Sequence, residues 1–235
     1  MTFKNLPQRL LRKLGFEVTK INKNVDNHGD LSRLSSLANG SQQIKLHFGC
    51  GPRIIKGWIN IDISYAHFQD YLQYYTDVYY PESIRGDKSD FYEINLLETG
   101  LPLPDNSVDI IFHEDFFEHL MQREQMVFLA ETLRVMKKGA IHRINTPNLQ
   151  ASMRDNSHFE KGKDGVFVGE WDNWHHYSLM SPTILKDMAL IVGYTDVYFN
   201  SKNKSIVAEE LPLEYRPDEK DRPAVDGNVF ADLVK

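Results

Sequence analysis

The chain has 235 residues and a single cysteine, Cys50. No internal disulfide and no thiolate metal cluster is therefore expected, and a reducing, cytoplasmic setting follows most simply. No apolar run approaches the ~18 residues of a spanning helix, so no integral membrane segment is expected. Basic charge is not in excess: 27 Lys and Arg stand against 33 Asp and Glu, a net charge of −6. That gives no support to nucleic-acid binding, which usually shows a basic face. The first residues lack the uninterrupted apolar core of a signal peptide. Internal repeats and low-complexity tracts are absent as well. What is present is ordinary for a soluble globular protein, 41% hydrophobic and 26% charged, and long enough for one large core.

Residues 4–14 read as a short amphipathic helix, with Leu6, Leu10, Leu11 and Leu14 on one side. Such a helix either packs on the domain surface or makes a peripheral membrane or partner contact. Residues 22–43 are rich in Asn, Ser, Gly and Asp and read as a linker, which makes 1–42 an N-terminal unit and 43–235 the main domain. Strands are predicted at 44–48, 58–63, 91–95, 108–113, 140–145, 195–200 and 228–234. Met126, Leu129, Ala130, Leu133 and Met136 recur at helical spacing, which predicts a helix over 121–137 ending at Lys137-Lys-Gly139. Ser181-Pro182 opens a second helix over 182–191, and Gly193 follows it. Alternating strands and helices imply an α/β fold, a mostly parallel sheet with helices on both faces. The first crossover is short. Only Pro52 to Gly57 separates two strands, so its helix must be about one turn or the second strand must be offset.

The chemistry concentrates in Lys45-Leu-His-Phe-Gly-Cys-Gly-Pro52 and Gly57-Trp-Ile-Asn-Ile-Asp62. One apolar run ends in two glycines separated by a residue, and the next ends in an acid. In parallel α/β sheets ligands sit at the carboxyl ends of strands, beside such a turn. An acid closing the second strand can accept hydrogen bonds from ribose hydroxyls. A nicotinamide site would show Gly-x-Gly-x-x-Gly with its acid about 20 residues on; here the last glycine is missing and the spacing shorter. Three later segments join the pattern: Leu101-Pro-Leu-Pro-Asp-Asn-Ser-Val-Asp-Ile-Ile-Phe112, Glu118-His-Leu120, and Glu131 to Pro147.

Over residues 44–150 these segments, in order and spacing, resemble a class I S-adenosylmethionine-dependent methyltransferase. The likeness is to the type-11-like subgroup with a Gly-Cys-Gly-Pro…Gly-Trp-Ile-Asn-Ile-Asp opening. The resemblance implies a Rossmann-like three-layer sandwich with a seven-stranded, mostly parallel sheet whose last strand is antiparallel. It implies S-adenosyl-L-methionine as cofactor and a small-molecule or glycan acceptor; the alternative is a weakly active or inactive binding or regulatory protein on the same fold. His47, Gly49, Cys50 and Gly51 would then lie against the methionine part, with backbone N–H groups of the turn receiving its carboxylate. Asp62 would hold the ribose, Asn95 and Leu96 would meet the adenine, and His113 would line the cleft. Arg53 stands where the usual third glycine would be, and His47 where an acid often stands.

A hydroxyl acceptor also needs a base, and histidine is the natural candidate. Gly169-Glu-Trp-Asp-Asn-Trp-His-His-Tyr177 lies in the long loop 148–180, expected to be a lid or substrate loop. His175 or His176 is the expected catalytic or acceptor-orienting residue. The same pair could instead dock the loop, and no metal site is expected. The tyrosine-rich segment 65–81 suits acceptor stacking, packing on the sheet, or a homodimer interface.

Overall fold

The structure is a computed structural model, and it describes residues 28–37, 43–71, 80–152, 171, 174–207, 211 and 227–235. The expected helix at 4–14 lies outside the described residues, as do much of the loop 148–180 and of the tyrosine-rich segment.

Residues 28–37, expected to be linker, form helix α1 (His28–Leu37). Leu31, Leu34 and Leu37 fall three apart, so one face of this polar segment is apolar, and Leu34 is fully buried in the core. Arg33 lies over the Tyr92 ring at 3.6 Å, and Asp30 accepts from the Glu93 amide at 2.8 Å. The segment therefore packs on the same core as the sheet.

The strands follow as β1 (Lys45–Phe48), β2 (Ile59–Asp62), β3 (Phe91–Glu93), β4 (Val108–Glu114), β5 (Met136–Pro147), β6 (Asp196–Phe199) and β7 (Asn228–Val234). The helices between them are α2 (Leu96–Thr99), α3 (Gln122–Val135), α4 (Leu149–Ser152) and α5 (Pro182–Val192). All seven strands join one sheet in the order β3-β2-β1-β4-β5-β7-β6. β1 to β5 run parallel, and β7 is antiparallel to both its neighbours. This is the expected seven-stranded, Rossmann-like sheet.

Strand alternation sorts the two faces. Leu46, Phe48, Ile61, Ile111 and Ile144 meet Leu34, Phe128, Leu129, Leu185 and Met188 of α1, α3 and α5 in one core. On the opposite face the register places Asn60, His47, Phe112, Arg143 and Asp232 in a row across five strands. Ile55 and Trp58 cover part of that row, packed on Ile110 and Phe112.

Ile55 and Trp58 belong to the short crossover, which contains no helix at all. Asn60, fully buried, replaces one. Its carbonyl oxygen accepts from the Ile55 amide at 2.8 Å, and its amide donates to the carbonyls of Ile55, Trp58 and Asp90 at 2.9–3.1 Å. Residues 54–56 then pair with Ile84 to Gly86 as an isolated antiparallel bridge would. A single side chain thus organises an extended connection that a helix normally makes.

Helix α5 starts and stops where expected: Ser181 Oγ accepts from the Ile184 amide, and Gly193 is left-handed at φ 119°. Helix α3 ends two residues early. Met136 is fully buried and pairs with Val108, so the chain enters β5 there, and Lys137 reaches Asp109 at 2.6 Å instead of capping a helix.

Candidate functional site

The carboxyl ends of β1, β2 and β4 meet at one edge of the sheet, and two adjoining cavities open there. The larger, about 590 Å³, is bounded by Gly49, Asp62, Asn95, Leu96 and Phe116. The smaller, about 210 Å³, is bounded by His47, Gly49, Cys50, Gly51, Arg53, Glu114, Asp115, Trp174 and His176. Gly49, Asp115 and His119 belong to both.

The glycine turn is required by geometry. Gly49 and Gly51 are both left-handed, at φ 57° and 50°. A Cβ on Gly49 would stand 2.5–2.7 Å from the Phe116 side chain. Asp62 is bound to this turn: Gly51 N–H donates to its Oδ2 at 2.8 Å, and Ile63 N–H to its Oδ1 at 2.7 Å. Burial pushes the Asp62 carboxyl up from its usual value, and these two amides pull against it. Each oxygen keeps a further acceptor direction for a ligand.

Two of the turn's N–H groups are already engaged, Gly51 with Asp62 and Gly49 with the Ile61 carbonyl at 3.0 Å. The expectation that the turn itself receives a ligand carboxylate therefore loses two donors. Arg53, fully buried in the wall of the smaller cavity, brings a guanidinium to the same place. Nothing in the Gly-x-Gly spacing predicts that. His47 is neutral: burial lowers its pKa to about 3, and its Nδ1 bonds Asn60 at 2.9 Å. Burial pushes the Cys50 thiol well up, so it is an inert wall group.

His113 lies outside both cavities. It points into the helix-covered core, stacked on Phe117 at 5.7 Å. The residues after it, Glu114, Asp115 and Phe116, bound the cavities instead, and Asp115 is left-handed at φ 51°.

The histidine pair separates. His175 is exposed, with its amide bonded to the Trp171 carbonyl, and faces neither cavity. His176 is buried and walls the smaller one. Its neighbours Tyr177 and Ser178 donate backbone N–H bonds to the Glu118 carbonyl at 2.8 and 3.2 Å, which fastens the loop to the turn after β4. There Glu118, His119 and His176 bring ligating atoms within 4.8 Å of one another. Sequence separation hid the meeting of Glu118-His119 with His176.

Residues 46–144 match the family described as "Methyltransferase domain". The matched span runs from β1 into β5 and carries Gly49, Gly51, Asp62 and Asn95. Over 54 residues the chain is 43% identical to a Mycolicibacterium smegmatis protein named "Probable S-adenosylmethionine-dependent methyltransferase". That stretch is 23% of this chain and 20% of the relative, so only a fifth of the relative's length is matched. Among solved structures, an S-adenosylmethionine-dependent methyltransferase from Archaeoglobus fulgidus superposes with a TM-score of 0.50 at 16% identity, covering 97% of this chain and all of its own. Phosphoethanolamine N-methyltransferase 2 of Haemonchus contortus, solved with S-adenosyl-L-methionine, gives 0.47 at 14% identity over 89% of this chain and 52% of that one. The structural likeness shows the fold. The larger cavity lies within the ~300–1,000 Å³ usual for small-molecule and cofactor sites. No helix among the described residues is long and apolar enough to cross a membrane.

Proposed function

We propose that this chain is an S-adenosylmethionine-dependent methyltransferase acting on a small-molecule or glycan acceptor. The observation that carries the reading is the Asp62 carboxylate, tied to Gly51 at 2.8 Å at the mouth of a cavity on the strand ends. An acid so placed holds the two hydroxyls of a ribose. Asn95 and Leu96 take the adenine, and the bare backbone of Gly49 lets the cofactor approach. Arg53 and Asp115, both in the wall of the smaller cavity, suit the carboxylate and ammonium of the methionine end. His47 and Cys50 shape that wall without charge.

When bound, the cofactor supplies a methyl group already activated by its sulfonium. The chain's own task is to hold the acceptor in line with that methyl and to exclude water, and such positioning contributes up to ~7–11 kcal/mol. Trp174 and His176 close the smaller cavity on the acceptor side, and Tyr177 walls the larger one. Of the two histidines, His176 is the acceptor-orienting residue. The exposed His175 has no part in it.

Titration calorimetry with S-adenosylhomocysteine and with NAD tests the reading. The adenosyl compound should bind and NAD should not. Asp62→Ala should weaken binding by ~10–100-fold, the worth of hydrogen bonds to a charged group, with an unchanged circular-dichroism spectrum. Absence of adenosyl binding refutes the proposal. Binding without turnover across an acceptor panel favours the regulatory alternative.

A further inference from the structure

We infer that Glu118, His119 and His176 form a divalent-cation site at the acceptor edge of the cleft, of the borderline class that zinc represents. Two imidazoles and one carboxylate are the donor set that such ions take when coordination positions must stay open.

The distances admit an ion. His176 Nε2 and Glu118 Oε1 are 3.9 Å apart, and the ligating atoms of all three residues lie within 4.8 Å. Metal bonds of ~2.0–2.2 Å in a tetrahedral set place two ligands of one ion roughly 3.3–3.6 Å apart. The first pair lies within about half an ångström of that, and the third ligand closes by little more than an ångström, a side-chain adjustment that the exposed His119 can make.

The surroundings are those of a prepared site. Glu118 is fully buried, and Thr146 Oγ1 donates to its Oε2 at 3.0 Å, which leaves Oε1 toward the imidazoles. Outer partners that orient a ligating carboxylate in this way are a regular part of metal centres. The carbonyl of the same Glu118 holds the loop that carries His176. His119 is exposed and belongs to both cavities, so the open side of the cluster faces the cleft. An oxygen donor of the acceptor, a hydroxyl or a diol, would complete the coordination there. This last point rests on the methyltransferase reading; the cation site itself does not.

The test uses the full chain, stripped with a chelator and titrated with Co²⁺ while visible absorption is recorded, with Zn²⁺ as competitor. Expected is one Co²⁺ per chain with the spectrum of a nitrogen–oxygen site, displaced by Zn²⁺. Thr146→Ala should weaken binding by ~10–100-fold, as loss of an outer partner does. His176→Ala and the exposed His119→Ala should weaken it at least as much, and His175→Ala should leave it unchanged. S-adenosylhomocysteine binding is measured on every sample. If Co²⁺ fails to bind a protein that still binds S-adenosylhomocysteine, the cation site is overturned, with the cofactor reading intact. Equal weakening by His175→Ala and His176→Ala would overturn it as well. Loss of adenosyl binding in the wild-type chain would instead sink the methyltransferase reading alone.

Discussion

The core of this domain contains three buried histidines, and acid should unfold it through them. His47 and His142 are held down to about 3 by burial, and His113 well below its usual 6.5, chiefly by burial and then by its histidine neighbours. All three are neutral when folded and bind a proton below pH 6.5 when unfolded. Their stabilising effect is thus complete above pH 6.5 and is lost as pH falls, until His47 and His142 protonate in place near pH 3. Each lost proton-binding site costs about 1.4 kcal/mol per pH unit. Between pH 6.5 and 5 that is about 2 kcal/mol per histidine and about 6 for the three, against a total stability of about 5–15 kcal/mol. Asp62 has the opposite sign, since burial raises its pKa and so offsets part of this loss as pH falls. Glu131, lowered by Arg134, adds to the loss only below its usual 4.5. Urea unfolding at constant ionic strength, read by tryptophan fluorescence at pH 7.5, 6.5, 5.5 and 5.0, measures the slope. His113→Phe provides the internal control. Neither ring nitrogen of His113 has a hydrogen-bond partner among the described residues, and Phe116, Phe117 and Phe128 surround it at 5.4–5.7 Å. That variant should lose about a third of the pH slope, whatever it does to stability at pH 7.5. A stability that stays flat from pH 7.5 to 5.0 would refute the reasoning.

Two substitutions probe the first crossover and the turn before it. Asn60→Ala removes the side-chain partner of the Ile55 amide and of the Trp58 and Asp90 carbonyls, while the Ile55 carbonyl keeps the Trp58 amide, at a cost of about 3 kcal/mol or more, since each orphaned group costs ~1–3. Limited proteolysis should then cut within 52–58 well before the rest of the described domain. Gly49→Ala adds a clash with Phe116 to the ~1–2 kcal/mol of a left-handed alanine, whereas Gly51→Ala, with open space around its Cβ, carries the backbone strain alone. Paired urea curves should rank Gly49→Ala as the more damaging.

The strands were legible because each is a short apolar run closed by turn residues, and a run of that kind has few other places to go. Helix α5 was legible for a similar reason: serine, proline and glycine mark its ends by chemistry that acts within one turn. Failures came where the outcome depended on distant partners. Helix α1 looks like linker because its three leucines are diluted by serine, glycine and aspartate; only packing against the sheet makes them a face. The end of α3 was misjudged because Lys137-Lys-Gly139 is a good helix terminus locally, yet burial of Met136 against Val108 draws the chain into β5 sooner.

The candidate site repeats that contrast residue by residue. The meeting of Gly49, Gly51 and Asp62 at the adjoining cavities was readable, since their places follow from position at the ends of β1 and β2. His113 is one residue short of the end of β4, but side chains there alternate between faces, and its register beside Phe48 and Ile144 turns it into the helix-covered core. Adjacent histidines raise the same question. An alternation that sends His176 inward leaves His175 outside, and the pattern alone does not say which is which. The answer lies in the backbone bonds from Tyr177 and Ser178 to Glu118, residues some sixty positions apart in sequence. These bonds select the inward histidine, and they also bring it to a buried carboxylate. Loop attachment and chemical environment at this site therefore have one cause. A substitution that frees the loop would disperse the Glu118–His119–His176 cluster while leaving Asp62 and the glycine turn, which belong to the sheet, in place.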